Sequence, residues 1–375
     1  MNLQTQKGLL LLSRIPGVGV TRLRALLTRF HSIDHIFNAS ISELARTPNI
    51  GTTTAENISK FLHSPDRLKV EADIERQFEH LEKLNASLIT ILDDNYPTRL
   101  KELYDAPIYL FVRGSLTSQD VRSLALIGTR HPTDYGKNVT KKFATAFAQN
   151  GFTVISGLAS GIDSLAHRTA LDAGGRTIAV LGNGVDTIYT DPKGALYPRI
   201  LEHGAIISEE WLGTPPTAEN FPKRNRIISG LSLGVVIVES DLKGGAMITA
   251  KYALEQNRDI FAIPGNIFSP KSNGTNALIR DSQAKLALSP NDIIAEYPHH
   301  RPEPQSLLEP LNPPPNLSAD EQKIYALLSH EPTHIDTLAE HSGLDVSDVL
   351  ILLFELEMKG VVRQLAGKLF QRWPL

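Results

Sequence analysis

Seven short apolar runs spread over residues 107–264 limit the fold of this chain more than anything else in it. They read PIYLFV (107–112), SLALIG (123–128), FTVIS (152–156), TIAVLG (177–182), AIISE (205–209), GVVIVE (234–239) and DIFAIP (259–264). Each is nearly continuous in apolar residues, which suits strands covered on both faces. Between them, residues 137–149, 162–173 and 246–256 carry apolar positions at helical spacing. This alternation predicts a parallel, doubly wound α/β sheet.

The flanks read differently. Residues 1–75 hold GLLLLSRI, VTRLRALLTRF, SISELART and TAENISKFLH, all helical in pattern. Two Gly turns punctuate them, IPGVGV (15–20) and TPNIGT (47–52). The α/β segment, taken as 76–298, gives way to a proline-dense stretch that predicts a semi-rigid linker over 299–316. Residues 317–375 begin with one helix, continue as helix, Gly-containing turn and helix, and end in two short strands. That order is a winged-helix pattern.

Composition removes several classes of function. With no Cys, disulfides, thiol nucleophiles and Cys-based zinc sites are excluded. The formal charge is −3, so any hold on a polyanion must come from a local patch. KGLLLLSRIPG has only four consecutive Leu before Arg14, too few for a signal peptide. No stretch nears the roughly 18 apolar residues of a membrane span, so the expected location is the cytoplasm.

Polar and Gly-rich residues gather at the predicted carboxyl ends of the strands, where open parallel sheets bind ligands. The run 123–128 leads into Gly128-Thr129-Arg130, and 152–156 into SGLASGID with Ser156, Gly157 and Gly161. The runs 177–182 and 234–239 end in GNGVD and ESDLKGGAMIT. Gly turns before helices bring backbone N–H groups close to an anion. A P-loop is absent, and GNGVDT lacks the third Gly of a dinucleotide fingerprint. Asp163 and His167, at i and i+4, could ligate a metal or simply cap and pack their helix. No second pair has ligand spacing, so packing is preferred and neither cofactor nor metal is expected.

NFPKRNRIISG (220–230) places Lys223, Arg224, Asn225 and Arg226 just before an apolar strand. Cations beside Gly turns suit a row of phosphates better than one small anion. Arg130, Lys223 and Arg226 are read as phosphate contacts, and Phe221 as an anchor in the core. The competing reading pairs these cations with Glu209, Glu210 or Glu219.

LALIGTRHPTDYGK, VISGLASGIDSLAHRTALDAGGRTIAVLGNGVD, ENFPKRNRIISGLS, GGAMITAKYALEQNRDIFAIPG and SNGTNALIRDSQA together resemble the DNA-processing protein A (DprA/Smf) family. The resemblance implies an extended Rossmann-like sheet between an N-terminal helix-hairpin-helix (SAM-like) domain and a C-terminal winged helix. It further implies a homodimer, formed through the Rossmann-like domain, that binds single-stranded DNA. The role implied is loading the RecA recombinase on incoming strands during natural transformation, without catalysis. Carried across by position, the DNA pocket involves Gly128, Thr129, Arg130, Ser156, Gly157, Lys223, Arg224, Asn225 and Arg226. Gly244-Gly245 stand where Ser-Gly commonly opens the later helix in the family. The dimer surface is expected near residues 277–288.

The paired Gly turns near the N-terminus resemble helix-hairpin-helix elements, with Arg22, Arg24 and Arg29 forming a basic face. Gly-turn amides of that kind grip phosphates without reading sequence; a plain helical bundle is the other option. Over residues 320–375, five Lys/Arg stand against nine Asp/Glu, a net of −4. Asp348, Glu355 and Glu357 lie on the helix a winged helix would send into the major groove, so a protein contact is expected there. Two other functions compete for the whole chain. One is a nucleotide phosphoribohydrolase-like enzyme using Glu239 or Glu255, although PGGxGTxxE is absent. The other is a structural oligomer.

Overall fold

The apolar runs pair side by side, as burial on both faces requires. In the computed structural model, residues 2–188, 190–191, 194–298, 317–329, 332–365 and 367–372 are described. The expected linker, 299–316, lies outside them. The chain divides into two compact units, residues 1–301 and 302–375.

The first unit begins with α1 (Leu3–Ser13), α2 (Val20–Phe30), α3 (Ile33–Asn38), α4 (Ile41–Ala45), α5 (Thr52–Leu62) and α6 (Pro65–Lys83). Then come β1 (Ala86–Thr90), α7 (Thr98–Lys101), β2 (Tyr109–Gly114), β3 (Ser123–Ile127), α8 (Asp134–Gln149), β4 (Thr153–Ser156), α9 (Ile162–Asp172) and β5 (Thr177–Leu181). α10 (Leu196–His203), β6 (Gly204–Ser208), α11 (Asn220–Leu231), β7 (Gly234–Ile237), α12 (Gly245–Glu255) and β8 (Asp259–Ala262) follow. α13 (Asn273–Arg280), β9 (Lys285–Leu286) and α14 (Asn291–Ile294) complete the unit.

The nine strands form one sheet in the order β1-β2-β6-β5-β4-β3-β7-β8-β9. From β6 through β9 the pairings are parallel. The order therefore reverses between β3 and β7, which is the topological switch point where such sheets hold ligands. At the other end β2 runs antiparallel to β6, and β1 antiparallel to β2. The first apolar run had been expected to join a parallel sheet. A fully apolar run reads the same in either direction, and doubly wound sheets often carry an antiparallel edge. Strand β1 went unanticipated because ASLIT is short and its first residues are exposed.

Segment 220–230, read from sequence as a cationic stretch just before a strand, is itself helix α11. Pro222 falls in the first turn, where a missing N–H and a fixed φ are tolerated. The N-terminal helices also differ from expectation. Leu9, Leu26 and Ile58 share one continuous core with Leu110, Ile206 and Ile227 of the α/β segment, and α6 runs across the expected boundary at residue 75. Gln77 links them further, donating to the Leu212 carbonyl at 3.1 Å and accepting its N–H at 2.9 Å.

The second unit has α15 (Ala319–Leu327), β10 (Thr333–His334), α16 (Ile335–Ser342), α17 (Val346–Met358), β11 (Val362–Leu365) and β12 (Leu369–Arg372). Its three strands order as β10-β12-β11, the winged-helix arrangement. Leu338, Val349, Leu353, Leu356 and Phe370 form its core. Lys359 donates to the Glu321 carboxylate at 2.6 Å and holds that carboxyl below its ordinary pKa.

His167, expected to pack helix α9, is fully buried against the sheet. Its Nδ1 lies 2.6 Å from the Thr177 hydroxyl, which itself donates to the Val154 carbonyl at 2.6 Å. That leaves Nδ1 as the donor to Thr177. Burial first, then the Arg224 charge, push its pKa down to about 3. The unfolded chain takes up this proton near pH 6.5 and the folded chain does not, so stability falls as pH drops through that window. One such proton is worth about 1.4 kcal/mol per pH unit. His167→Gln should lower stability at pH 8 by about 1–3 kcal/mol. In urea titrations it should also flatten the slope of stability against pH between roughly 6.5 and 5.

Candidate nucleic-acid interface

Strand β3 ends at Ile127, and the Gly128-Thr129-Arg130 turn behind it is pinned by its neighbours. Thr129 donates its N–H to the Glu239 carbonyl at 2.8 Å, and Ile162 donates to the Thr129 carbonyl at 3.2 Å. The buried Glu239 carboxylate accepts the Thr133 N–H at 2.9 Å and the Thr133 hydroxyl as well. Gly161 must be glycine here: its φ is +88°, and a Cβ would sit 2.4 Å from the Thr129 carbonyl oxygen. With the turn fixed from both sides, Arg130 alone of the three is exposed.

Beneath this turn lies a buried charge pair. Arg224 on α11 donates to the Gly157 carbonyl at 2.8 Å and to that of Val180. Asp163 accepts the Gly157 N–H at 3.1 Å. A Cβ on residue 157 would lie 2.6 Å from the Arg224 guanidinium and 2.8 Å from the Asp163 carboxylate, so only glycine fits between them. Burial lowers the Arg224 pKa to about 10 against the pull of Asp163, which leaves it charged at neutral pH. Burial pushes the Asp163 carboxyl up, and Arg224 opposes that.

Two adjoining cavities open above the pair. The larger, about 740 Å³, sits at the switch point between β3 and β7. Gly128, Thr129, Arg130, Asn225, Lys243, Gly244, Gly245 and Lys271 line it. The smaller, about 200 Å³, is lined by Gly157, Ser160, Asn183 and Phe221 among others. Arg130, Ala159, Phe221 and Arg224 border both. The Arg130 guanidinium stands 5.7 Å from the centre of the Phe221 ring. Helices α9, α11 and α12 begin at this cleft without side-chain caps, and their amino ends add partial positive charge.

The structure thus gathers Gly128, Thr129, Arg130, Gly157, Arg224 and Asn225, although Arg224 serves as buried support. Three expected residues are placed elsewhere. Ser156 is buried in the sheet and donates to the Leu126 carbonyl at 2.8 Å. Arg226 is buried against Glu209, at 2.5 Å, and Asp105, at 3.4 Å. Lys223 is exposed but borders neither cavity, and its charge is felt by Glu210. Helical geometry explains the split, because successive residues point about 100° apart and KRNR cannot share a face. Phe221 is half-buried and walls the cleft, where an anchor in the core had been expected. Lys243 and Lys271 line the larger cavity as two cations not named from the sequence. Lys243 sits in the ESDLKGG turn, a signal that was available; Lys271, in the short 3-10 turn Pro270–Ser272, had none.

The other candidates resolve the same way. Glu239 is committed to Thr133, and Glu255 is exposed on α12 beside Lys251 at 3.8 Å. Among the described residues no group of His, Asp and Glu has the arrangement of a metal site. Near the N-terminus, Arg22 straps the two Gly hairpins, donating to the Gly17 carbonyl at 2.5 Å and the Asn49 carbonyl at 2.8 Å. Arg24 turns to the carbonyls of Leu103 and Tyr104, so the expected basic face is mostly spent on backbone.

Comparison with known proteins agrees with this architecture. The family model described as DNA recombination-mediator protein A matches residues 87–298. A DprA winged helix domain matches 309–368 and a helix-hairpin-helix motif 9–70. Protein Smf of Synechocystis is 34% identical over 96% of this chain and 97% of its own. The crystal structure of DNA processing protein A from Streptococcus pneumoniae aligns with a TM-score of 0.62 at 33% identity. That alignment covers 78% of this chain and 96% of that one. The Helicobacter pylori protein, whose structure is titled for its single-stranded DNA binding mode, aligns at 0.52 and 31% identity. It covers 57% of this chain and 95% of that one.

Removing the buried Arg224 charge should leave Asp163 uncompensated. Arg224→Met is expected to destabilise the first unit by about 3–5 kcal/mol. Lys223→Ala, on the next position of the same helix, should stay within about 0.5 kcal/mol. Urea unfolding followed by tryptophan fluorescence or circular dichroism would read both.

Proposed function

Because the chain belongs to the DNA recombination-mediator protein A (DprA/Smf) family, we propose that the cleft at the β3–β7 switch point holds single-stranded DNA. Arg130, Lys243 and Lys271 meet successive phosphates, helped by backbone amides at 128–129 and 244–245. A base rests against Phe221 at the mouth of the smaller cavity. Cationic grooves with an aromatic wall hold unpaired strands in this sequence-tolerant way. The observation that carries the reading is the single exposed guanidinium, Arg130, at the junction of two cavities whose floor is the charged Arg224. The single-stranded DNA binding named for the Helicobacter pylori relative supports it.

The finer role is loading RecA on strands entering during transformation, with the protein acting as a homodimer. Family membership supports the first part. For the dimer, the support is edge strand β9, where Leu286 and Leu288 are 45% and 68% exposed at the end of the sheet. Catalysis on a nucleotide finds less support, since Glu239 already spends its carboxylate on Thr133.

Fluorescence anisotropy with labelled oligo-dT tests the reading. The logarithm of the wild-type affinity should fall linearly with that of salt, by about 0.7 per phosphate engaged. Arg130→Glu and Lys243→Glu should each weaken binding by at least about tenfold at low salt, while Arg226→Gln leaves the salt slope unchanged. A flat salt response, or release of free base from nucleoside monophosphates, would move the assignment to the enzymatic reading. RecA filament nucleation on the same oligonucleotide, with and without the protein, tests the loading role separately.

A further inference from the structure

Helix α17 packs into the second unit through Val349, Leu353 and Leu356, all fully buried. Its other side is apolar too. Leu350, Ile351, Phe354 and Met358 are 49%, 58%, 63% and 74% exposed. At about 100° per residue, these four fall within one arc of roughly 100°, turned away from the buried three. Isolated exposed leucines need no explanation, but a continuous stripe of large side chains along a helix marks an interaction surface. The margins of the stripe are acidic. Asp348 and Glu355, both exposed, lie on one edge; Glu357, half-buried and accepting the Gln364 N–H at 3.0 Å, lies on the other.

We propose that this face docks a partner protein through a basic amphipathic helix, an apolar ridge bordered on both sides by Lys or Arg. Charge chooses among the possible occupants. The phosphates of a DNA groove and the headgroups of an anionic bilayer would meet the carboxylate margins and be repelled. A second copy of this face would bring acidic margins against acidic margins. Cations along both edges of an apolar ridge satisfy the carboxylates while Phe354, Leu350 and Met358 lose water against the partner. Aromatic and Met anchors ringed by polar groups are how such interfaces concentrate their affinity. The 13 residues of α17 span about 20 Å, so a partner helix of about the same length covers the stripe.

The test uses the full-length chain and a labelled synthetic helix of about 18 residues, with Leu on one face and Lys along both margins. Two controls accompany it: the same peptide with every Lys replaced by Glu, and a scrambled sequence with no apolar face. The Leu/Lys peptide should bind saturably and more tightly at low salt, the other two far less. Leu350→Ser combined with Phe354→Ser should weaken it by at least about tenfold, and so should Asp348→Lys combined with Glu355→Lys. Circular dichroism melts establish that each variant is folded, and the charge pair removes no apolar group. Affinity unchanged in both pairs, or equal binding of the Leu/Glu peptide, overturns the proposal. Self-association of the wild type in sedimentation, lost in the Leu350/Phe354 variant, would overturn it in favour of a second copy.

Discussion

Arg224 is a guanidinium taken out of water, and such a group is tolerated only where its charge and its donors are all met. Here the Asp163 charge opposes part of the burial cost, Nη1 donates to the Gly157 and Val180 carbonyls, and Nε donates to the Asn225 side chain at 3.4 Å. The arrangement joins three separate pieces of the sheet: the β4–α9 turn, the body of β5, and the first turn of α11. Once α11 is held this way, Phe221 comes to the wall of the cleft and Asn225 to its rim. Gly157 follows as a consequence, because any side chain there would occupy the space the two charges share. The same pair also reaches His167, whose proton uptake is opposed by the Arg224 charge as well as by burial. Stability and the shape of the cleft therefore depend on the same buried guanidinium.

How far this could be read from residues alone depends on whether each feature repeats. Buried strands such as 123–127 and 204–208 are apolar but for one terminal serine each because both faces are covered, and they stand out. The antiparallel pair β1–β2 does not, since strand direction leaves no mark on composition. The C-terminal winged helix was legible from its order of elements and its Gly turn. The segment 220–230 misled because three cations close together read as one phosphate-binding patch. Its cations point to different neighbours, Arg224 inward to carbonyls, Arg226 to Glu209 and Asp105, and Lys223 to solvent. Spacing in sequence cannot sort those fates; the acidic and carbonyl partners lie tens of residues away. Arg22 and Arg24 were misjudged for the same reason, their acceptors being backbone oxygens that no sequence displays.

The cleft is assembled so that most of its positive character comes from geometry and little from abundance. Turns at 128–129 and 244–245, three helix amino ends and a handful of cations face one space, while the chain as a whole carries −3. Phosphates lie at regular intervals along a strand, so a few well-placed donors hold it without a basic surface. Arg130 and Lys243, both exposed, and the half-buried Lys271 come from three separate segments, which follow β3, β7 and β8. A rigid sheet edge keeps their spacing, which flexible basic tails do not.

Charge is also divided along the chain. Residues 320–375 hold −4, which leaves +1 for residues 1–319. The helix that would enter a DNA groove in a basic winged helix is here rimmed by carboxylates, with its outer face apolar. A nucleic acid is repelled by that face, and a cationic helix is repelled by Arg130 and the lysines of the cleft. The two surfaces therefore select ligands of opposite sign and do not compete for one another's occupant. If both sites are used as proposed, their opposite charge keeps the two ligands apart without any conformational switch.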